Sequence, residues 1–567
     1  MRRTRPALLG PLVLLGILGV VLLWPLLEGL RGAFFGAGDS ATFAYIVGVF
    51  RNPIYLEGLG NALLVATLST SLGAVLGGAA ALVVARWDFP AKRWLVPLLP
   101  LPLILPPFVG AIGVKQLLGQ RGALNAALIS VGVLDDSHPV DWLGRGRLAA
   151  VVALMVLHLY PIFYFYVTAA LGNLNIELEE AALSLGCGGL RNLRKITLPL
   201  VLPSLFAAGS IAFIGALTEF GVPLICDFPR ITAVQVYNGM RDMDRNPASY
   251  VLILVLVVGS SLLYAGVSTA VRPHSAKTAQ RALRRRSVTR GGPLVSLACT
   301  AALILLVAVA ALPNIGVVLA AFGRDWYGTV LPSGFTLSHF RAALAEPMVV
   351  SAVGNSLRYV APATLLNLAL GSTIAWYVVR SPSRVTRVLD MVAMLPLVVP
   401  GLVMAFGYLA ISRVGRPLAV LNPVPDPTAL LIVAYAVRRL PFVVRSIVAG
   451  LAQVEISLEE AAASLGAGRA RIIARVTLPL VAPHLVAAMI FVFALSMLEV
   501  SDSLILAQRQ ATYPITKAIY ELFQLLGEGR QMAAALGVWA MAFLTSAIVL
   551  ARSLVPRKDG EHVVHRL

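Results

Sequence analysis

The sequence predicts an all-α membrane protein with about twelve transmembrane helices, arranged as two tandem six-helix repeats. Three observations carry that prediction. The chain has 567 residues, 58% hydrophobic and only 13% charged, with a mean hydropathy of +0.84. Apolar runs long enough to cross a bilayer recur along its whole length, and the second half repeats the first at a fixed offset.

Composition excludes several classes. An ordinary soluble chain is about 25% charged, so this one cannot bury its apolar surface in water-exposed domains. A disordered protein, a coiled coil and a soluble multidomain enzyme are ruled out. The net charge of +19, from 46 Lys+Arg against 27 Asp+Glu, could signal nucleic acid; on a mostly apolar chain it predicts instead positive charge gathered in alternate loops. Cys187, Cys226 and Cys299 lie far apart and share no metal-type spacing, so neither a disulfide framework nor a metal site is expected.

A hydrocarbon core of roughly 30 Å requires about 20 apolar residues per helix. Such stretches lie near 7–29, 60–85, 94–116, 148–171, 198–222 and 249–271, then near 293–322, 354–379, 388–411, 428–452, 478–506 and 533–554. The first follows Arg2, Arg3 and Arg5 like the start of a signal peptide. Its apolar run is too long for a cleaved one and has no small-residue cleavage site, so it reads as an uncleaved anchor. With the amino terminus cytoplasmic, the inside segments carry Arg86, Lys92 and Arg93; Arg191, Arg194 and Lys195; Arg380, Arg384 and Arg387; Arg469, Arg471 and Arg475; and Arg552, Arg557 and Lys558. The 272–291 linker is also strongly basic, with Arg284, Arg285 and Arg286 in a row. Outside loops hold balancing acids such as Asp135, Asp136, Asp141, Asp242 and Asp244, which fits the positive-inside rule with both termini cytoplasmic.

The duplication is direct. Residues 178–200 (LEEAALSLGCGGLRNLRKITLPL) and 458–480 (LEEAAASLGAGRARIIARVTLPL) align without a gap at an offset of 280, as do Pro161 with Pro441 and Glu219 with Glu499. Earlier the offset is 294, matching Gly60-Asn61 to Gly354-Asn355 and Leu101-Pro102-Leu103 to Leu395-Pro396-Leu397; the 14-residue difference places a longer outside loop near 117–147. The expected domains are a first repeat over 1–272, a basic cytoplasmic linker over 273–292, a second repeat over 293–556 and a cytoplasmic tail over 557–567.

The repeated segment follows the fourth span of each half, on the cytoplasmic side. It reads as a short helix along the membrane surface, with glutamates in its first turns and alanines permitting close approach by another surface. An elbow at Gly186 or Gly466 follows, and then re-entry, with Leu198-Pro199 or Leu478-Pro479 starting the next membrane helix. The spacing Glu180-Ala181-Ala182…Gly186…Ile196…Leu198-Pro199, and again Glu460-Ala461-Ala462…Gly466…Val476…Leu478-Pro479, resembles the signature loop of bacterial binding-protein-dependent ABC importer permeases of type I. The resemblance covers almost the whole chain, which looks like two such subunits fused. It implies that these loops are coupling helices, docked onto two copies of a cytoplasmic ABC ATPase. It also implies a periplasmic or lipid-anchored substrate-binding protein as external partner, and a multi-pass location in the bacterial inner membrane. The stretches LPPFVGAIG (105–113), TEFGVPL (218–224) and MLEVSDSLILA (497–507) look most like the ferric-iron branch; thiamine, phosphonate and polyamine are the alternatives.

The chain contains no Gly-Lys dipeptide and hence no phosphate-binding G-x-x-x-x-G-K-[ST] loop, and neither H-E-x-x-H nor G-x-S-x-G occurs. No catalytic residue, bound cofactor or nucleic-acid partner is expected. ATP would be used by the partner ATPase, and the chain itself would be the pathway in contact with membrane lipids. A gradient-driven secondary transporter also has two parallel halves, but it has no reason to repeat a Glu-Ala-Ala…Gly loop.

Ionisable residues inside spans are pathway candidates, because burying them in lipid is costly. Glu219 and Glu499 occupy equivalent positions in the fifth spans and suit a hard cation or a cationic substrate, if they are not simply solvated helix ends. Arg438 and Arg439 lie mid-span and require an anionic partner, for which Glu499 or Asp502 could serve; otherwise they meet an anionic or chelated substrate. Asn61 and Asn355 read as helix caps or interhelical hydrogen bonds at the start of the second spans, and His158 with Tyr160, Tyr164 and Tyr166 as packing.

Overall fold

A computed structural model describes residues 8–35, 41–143, 147–172, 174, 176–240, 246–271, 289–290 and 292–554. Arg2, Arg3, Arg5, Asp242, Asp244, most of the basic linker and the tail beyond 554 lie outside the described residues. Among the described residues the chain is helical, with only two pairs of two-residue strands.

The first repeat contains α1 (Leu9–Phe35), α2 (Pro53–Arg86), the broken pair α3 (Lys92–Leu103) and α4 (Pro107–Leu118), α5 (Ala123–Ser130) and α6 (Arg147–Gly172). It continues with α7 (Ile176–Ser184), α8 (Gly189–Asn192), α9 (Leu198–Thr218), α10 (Gly221–Ile225), α11 (Thr232–Gly239) and α12 (Ala248–Val271). The second repeat contains α13 (Pro293–Phe322), α14 (Ser338–Ala345), α15 (Pro347–Arg380), the broken pair α16 (Arg384–Met394) and α17 (Gly401–Ile411), and α18 (Thr428–Gln453). It ends with α19 (Ile456–Ser464), α20 (Arg469–Ile472), α21 (Leu478–Met497), α22 (Ser501–Leu506), α23 (Ile515–Gln524) and α24 (Gly529–Leu554).

Among the described residues eight helices are by themselves long and apolar enough to cross a membrane, and ten if each broken pair is one span. The two further predicted spans coincide with α12, whose apolar part is shorter (Ala248–Leu263), and with α18. That helix runs 26 residues but carries Arg438, Arg439 and Arg445. The third span of each repeat is broken by 102°. The run Leu395-Pro396-Leu397-Val398-Val399-Pro400 explains the break in the second repeat, since each proline removes a backbone donor and clashes with the preceding turn.

Two expectations about helix starts are corrected. α2 begins at Pro53, where the Asn52 side chain accepts from the Ile54 N–H, and α15 begins at Pro347. Asn61 and Asn355 therefore lie inside helices and are not caps. Asn61 donates to the Arg230 carbonyl (2.7 Å), and Asn355 to those of Ala511 and Tyr513 (2.8 and 3.2 Å), so each ties its helix to the loop after the fifth span. The longer loop of the first repeat after α4 folds around α5, where buried Asn125 donates to the Gln120 and Val140 carbonyls and accepts from Trp142 Nε1.

Two compact units form, and they exchange their first helices. One comprises the described residues of 1–49, 236–254 and 337–559, the other those of 50–235 and 255–336. Each carries the body of one repeat and the first span of the other. In the first unit Gly407 of α17 lies against Pro25 of α1, and Tyr408 donates to the Val21 carbonyl (2.7 Å). In the second, Gly113 of α4 packs on α13, and a Cβ on Gly316 would lie 2.5 Å from the Gly113 carbonyl oxygen. Small residues let backbones approach this closely, which matters where lipid removes the hydrophobic drive for helix association. The same device joins the second and fourth spans: Gly77 meets Tyr160 and Phe163, and a Cβ on Gly371 would lie 2.6 Å from Val443 Cγ1.

Candidate functional site

Each repeated segment is a helix closed by a left-handed glycine. After α7, Gly186 has φ +76°, and the Cys187 N–H reaches back to the Ala182 carbonyl (2.9 Å). After α19, Gly466 has φ +83° and the Ala467 N–H reaches Ala462 (3.1 Å). This six-to-one closure needs a residue at positive φ, where a side chain is disfavoured by about 1–2 kcal/mol. Nothing lies within 4 Å of a Cβ built on either glycine, so the requirement is one of backbone conformation alone.

The faces of these helices divide. Glu180, Ala181, Glu460 and Ala461 are exposed, while Ala182 is buried and Ala462 half-buried against the protein. Beside each glycine stands a leucine in full solvent, Leu185 at 87% exposure and Leu465 at 90%. Leu183, Leu190, Ile456 and Leu458 are exposed around them. Leu185 and Leu465 obey the 280 offset, so an exposed leucine stands beside the elbow in each loop.

Re-entry departs from expectation. Leu198-Pro199 does not start the membrane helix, which is already running from Gly189 and passes through a π turn over Leu193–Thr197. The Leu198 N–H bonds the Leu193 carbonyl, five residues back, and Leu478 does the same to Ile473. A widened turn absorbs the donor that the following proline lacks and the clash its ring would cause.

A brace absent from the sequence reading holds each segment. At the end of α15, Arg380 Nη2 lies 2.8 Å from Glu459 Oε1, and the Thr477 hydroxyl donates to the same oxygen (3.1 Å). At the end of α2, Arg86 Nη2 lies 3.5 Å from Glu179 Oε1 and donates to Thr197 Oγ1 (2.9 Å), whose hydroxyl donates to Glu179 (2.6 Å). Glu179/Glu459 and Thr197/Thr477 obey the 280 offset and Arg86/Arg380 the 294 offset, which was the signal available in the sequence. A helix of 34 residues spans about 51 Å against roughly 30 Å of hydrocarbon, so each of these two helices is longer than the core it would cross.

The candidate pathway residues come together in the second repeat. Glu499, at the break between α21 and α22, accepts from Arg438 Nε (3.1 Å) and from Arg439 Nη2. Arg439 also donates to the Leu495 carbonyl (3.0 Å), and the Glu499 carbonyl accepts from the Ser503 and Thr516 hydroxyls (2.5 and 2.7 Å). Broken backbone at membrane depth is tolerated because side chains take up its freed carbonyls. Asp502 is buried, its carboxylate oxygens have no hydrogen-bond partner within the protein, and it borders a cavity of about 10 Å³ beside Arg438 and Tyr408, the size of one water. Arg438 also lies over Gly401, where a Cβ would collide with its guanidinium.

The first repeat differs at the equivalent positions, with His158 and Leu159 where the second has Arg438 and Arg439. There Glu219 accepts from the Val222 N–H (3.1 Å) at the start of α10, and His158, at the position of Arg438, lies 3.3 Å from the Pro102 carbonyl. Among the described residues no group of three or more His, Cys, Asp or Glu could hold a metal ion.

Comparison with known proteins agrees with this architecture. The family described as binding-protein-dependent transport system inner membrane component matches residues 73–274 and 367–560, one match per repeat. The chain is 28% identical over 502 residues to the probable ABC transporter permease protein y4fN of Sinorhizobium fredii, covering 85% of each chain. It is 25% identical over 465 residues to the Fe(3+)-transport system permease protein FbpB 2 of Haemophilus influenzae, covering 81% of this chain and 82% of that one. A probable molybdenum ABC transporter permease protein of Haloferax volcanii is 30% identical over 255 residues, 44% of this chain and 88% of its own. With both repeats matched, the chain belongs to the family of binding-protein-dependent transport system inner membrane components, as a fused ABC importer permease.

Proposed function

We propose that this permease is the translocation pathway of a ferric-iron importer. The supporting observation is extent of match: the iron-transport relative aligns across both repeats, whereas the molybdenum relative aligns with 44% of the chain, about one repeat. An external binding protein delivers the cargo. Two cytoplasmic ATPase subunits close on ATP, and their motion reaches the membrane helices through 173–197 and 453–477, with both termini on the ATPase side. The braces at Glu179 and Glu459 tie each coupling helix to the end of a long membrane helix, so that a push on the loop moves the span.

In this reading Glu499 is not a cation ligand. Two guanidiniums already occupy it, and removing either partner would leave an uncompensated buried charge. Iron selection then rests with the binding protein, and the permease offers a polar passage. Proteoliposomes holding the permease, its ATPase and its binding protein test the cargo: ATP-dependent uptake of radiolabelled ferric iron and none of molybdate is expected. Molybdate uptake without iron uptake refutes the iron reading.

A further inference from the structure

Resting on the importer reading, we propose that a cavity within the first unit is a vestibule that binds oxygen-bearing anions, either a free oxyanion or an anionic ferric complex. The cavity holds about 840 Å³, within the range of ligand sites. Its walls include Leu504, Tyr513, Tyr520 and Gln524, together with Asn422 and Val424. Chain path places it far from the coupling segment. α21 leaves that segment at Leu478 and rises about 30 Å over its 20 residues before the chain reaches Leu504. Likewise α18 runs 26 residues, about 39 Å, from its Thr428 end beside the cavity to Gln453 beside the coupling segment.

The chemistry of the wall selects the sign of the ligand. Among the described residues three charged side chains line it, Arg413, Lys517 and Glu521, two cationic and one anionic. The Lys517 side chain is 8% exposed and its ammonium lies 3.0 Å from Glu521 Oε1. It donates to Tyr237 Oη (3.3 Å), the residue 280 positions earlier and hence its repeat equivalent. The rings of Tyr237, Tyr513 and Tyr520 surround it at 5.9, 5.4 and 5.4 Å.

An aromatic cage is a place for a cation, and here the protein's own lysine fills it. Phenol hydroxyls and side-chain amides beside a caged ammonium are donors suited to carboxylate, phosphate or metallate oxygens. A bare trivalent cation would meet these two cationic side chains and a carboxylate that is already paired. At about 30 Å³ per water, the volume holds an anion with its hydration or a ferric ion wrapped in carboxylate ligands.

The test uses the full chain in lipid nanodiscs with radiolabelled molybdate and radiolabelled ferric citrate as probes in equilibrium dialysis. Wild type is expected to bind at least one of them. Lys517→Met should weaken that binding about tenfold or more, while Lys517→Arg keeps it within about threefold, at equal thermal midpoints. No binding of either probe by wild type, or equal binding by Lys517→Met, overturns the proposal and leaves Lys517–Glu521 a structural pair. Uptake in the reconstituted importer separates the two readings. Molybdate bound and carried without iron uptake removes the iron cargo and keeps the vestibule; iron carried by Lys517→Met at the wild-type rate removes the vestibule and keeps the importer.

Discussion

Leu185 and Leu465 offer the sharpest separation of folding from docking. At 87% and 90% exposure they contribute almost nothing to the permease's own core, so truncation to alanine should leave its thermal midpoint unchanged. If a partner covers them, each truncation removes about three buried carbons at roughly 0.8 kcal/mol apiece, or about 2 kcal/mol. At about 1.4 kcal/mol per tenfold, each loop loses about 30-fold in affinity, and both together about 1,000-fold for a partner dimer engaging both. The measurement is biolayer interferometry of the cognate ATPase on nanodisc-embedded permease, with scanning fluorimetry as the folding control. Unchanged ATPase binding by the double variant would refute the docking argument; a fall in thermal midpoint would show that these leucines are packed in the protein itself.

Three further outcomes follow from the geometry. Gly466→Val, forcing a β-branched side chain to φ +83°, should disturb the α19 elbow by about 1–2 kcal/mol and uncouple ATP hydrolysis from uptake without blocking membrane insertion; wild-type uptake per ATP would count against the elbow. Glu459→Ala leaves Arg380, 10% exposed, without its carboxylate, and should cost up to about 3–5 kcal/mol in thermal unfolding, much of it returned by Arg380→Leu in the double variant; additive losses would show that the pair is not coupled. Gly371→Leu, whose Cβ alone would lie 2.6 Å from Val443, should separate α15 from α18 at about 1–3 kcal/mol or more and lower the yield of folded protein; normal yield and melting would contradict the packing.

The span positions were legible because twenty apolar residues in sequence are themselves the structural requirement, and the observed helices fall on those stretches. Gly186 and Gly466 were legible for a similar reason, since a left-handed helix end is a property of local backbone. Arg86, Glu179 and Thr197 were not recognised as a brace although the offsets marked each of them, because the arginine joins the other two only through the fold. Of the two readings of Asn61 and Asn355, cap or hydrogen bond to another segment, the structure shows the second, because Asn52-Pro53 and Glu346-Pro347 start their helices earlier than the apolar runs suggest. The π turns before Pro199 and Pro479 escaped notice because a proline in a first turn and one after a widened turn look alike in sequence.

By itself the sequence determined the membrane class, the duplication and the glycine elbows after the repeated helices. All three follow from composition, from period or from the φ of a single residue. Only the tertiary structure decided that the repeats exchange their first helices, that Glu499 joins Arg438 and Arg439 while Asp502 does not, and that Lys517 sits in a tyrosine cage. These depend on which helix faces meet, and in an apolar chain nearly every face is compatible with lipid. Small-residue contacts and a few buried charges then select the partner, and their range is a few ångströms in space across as many as 280 residues of chain.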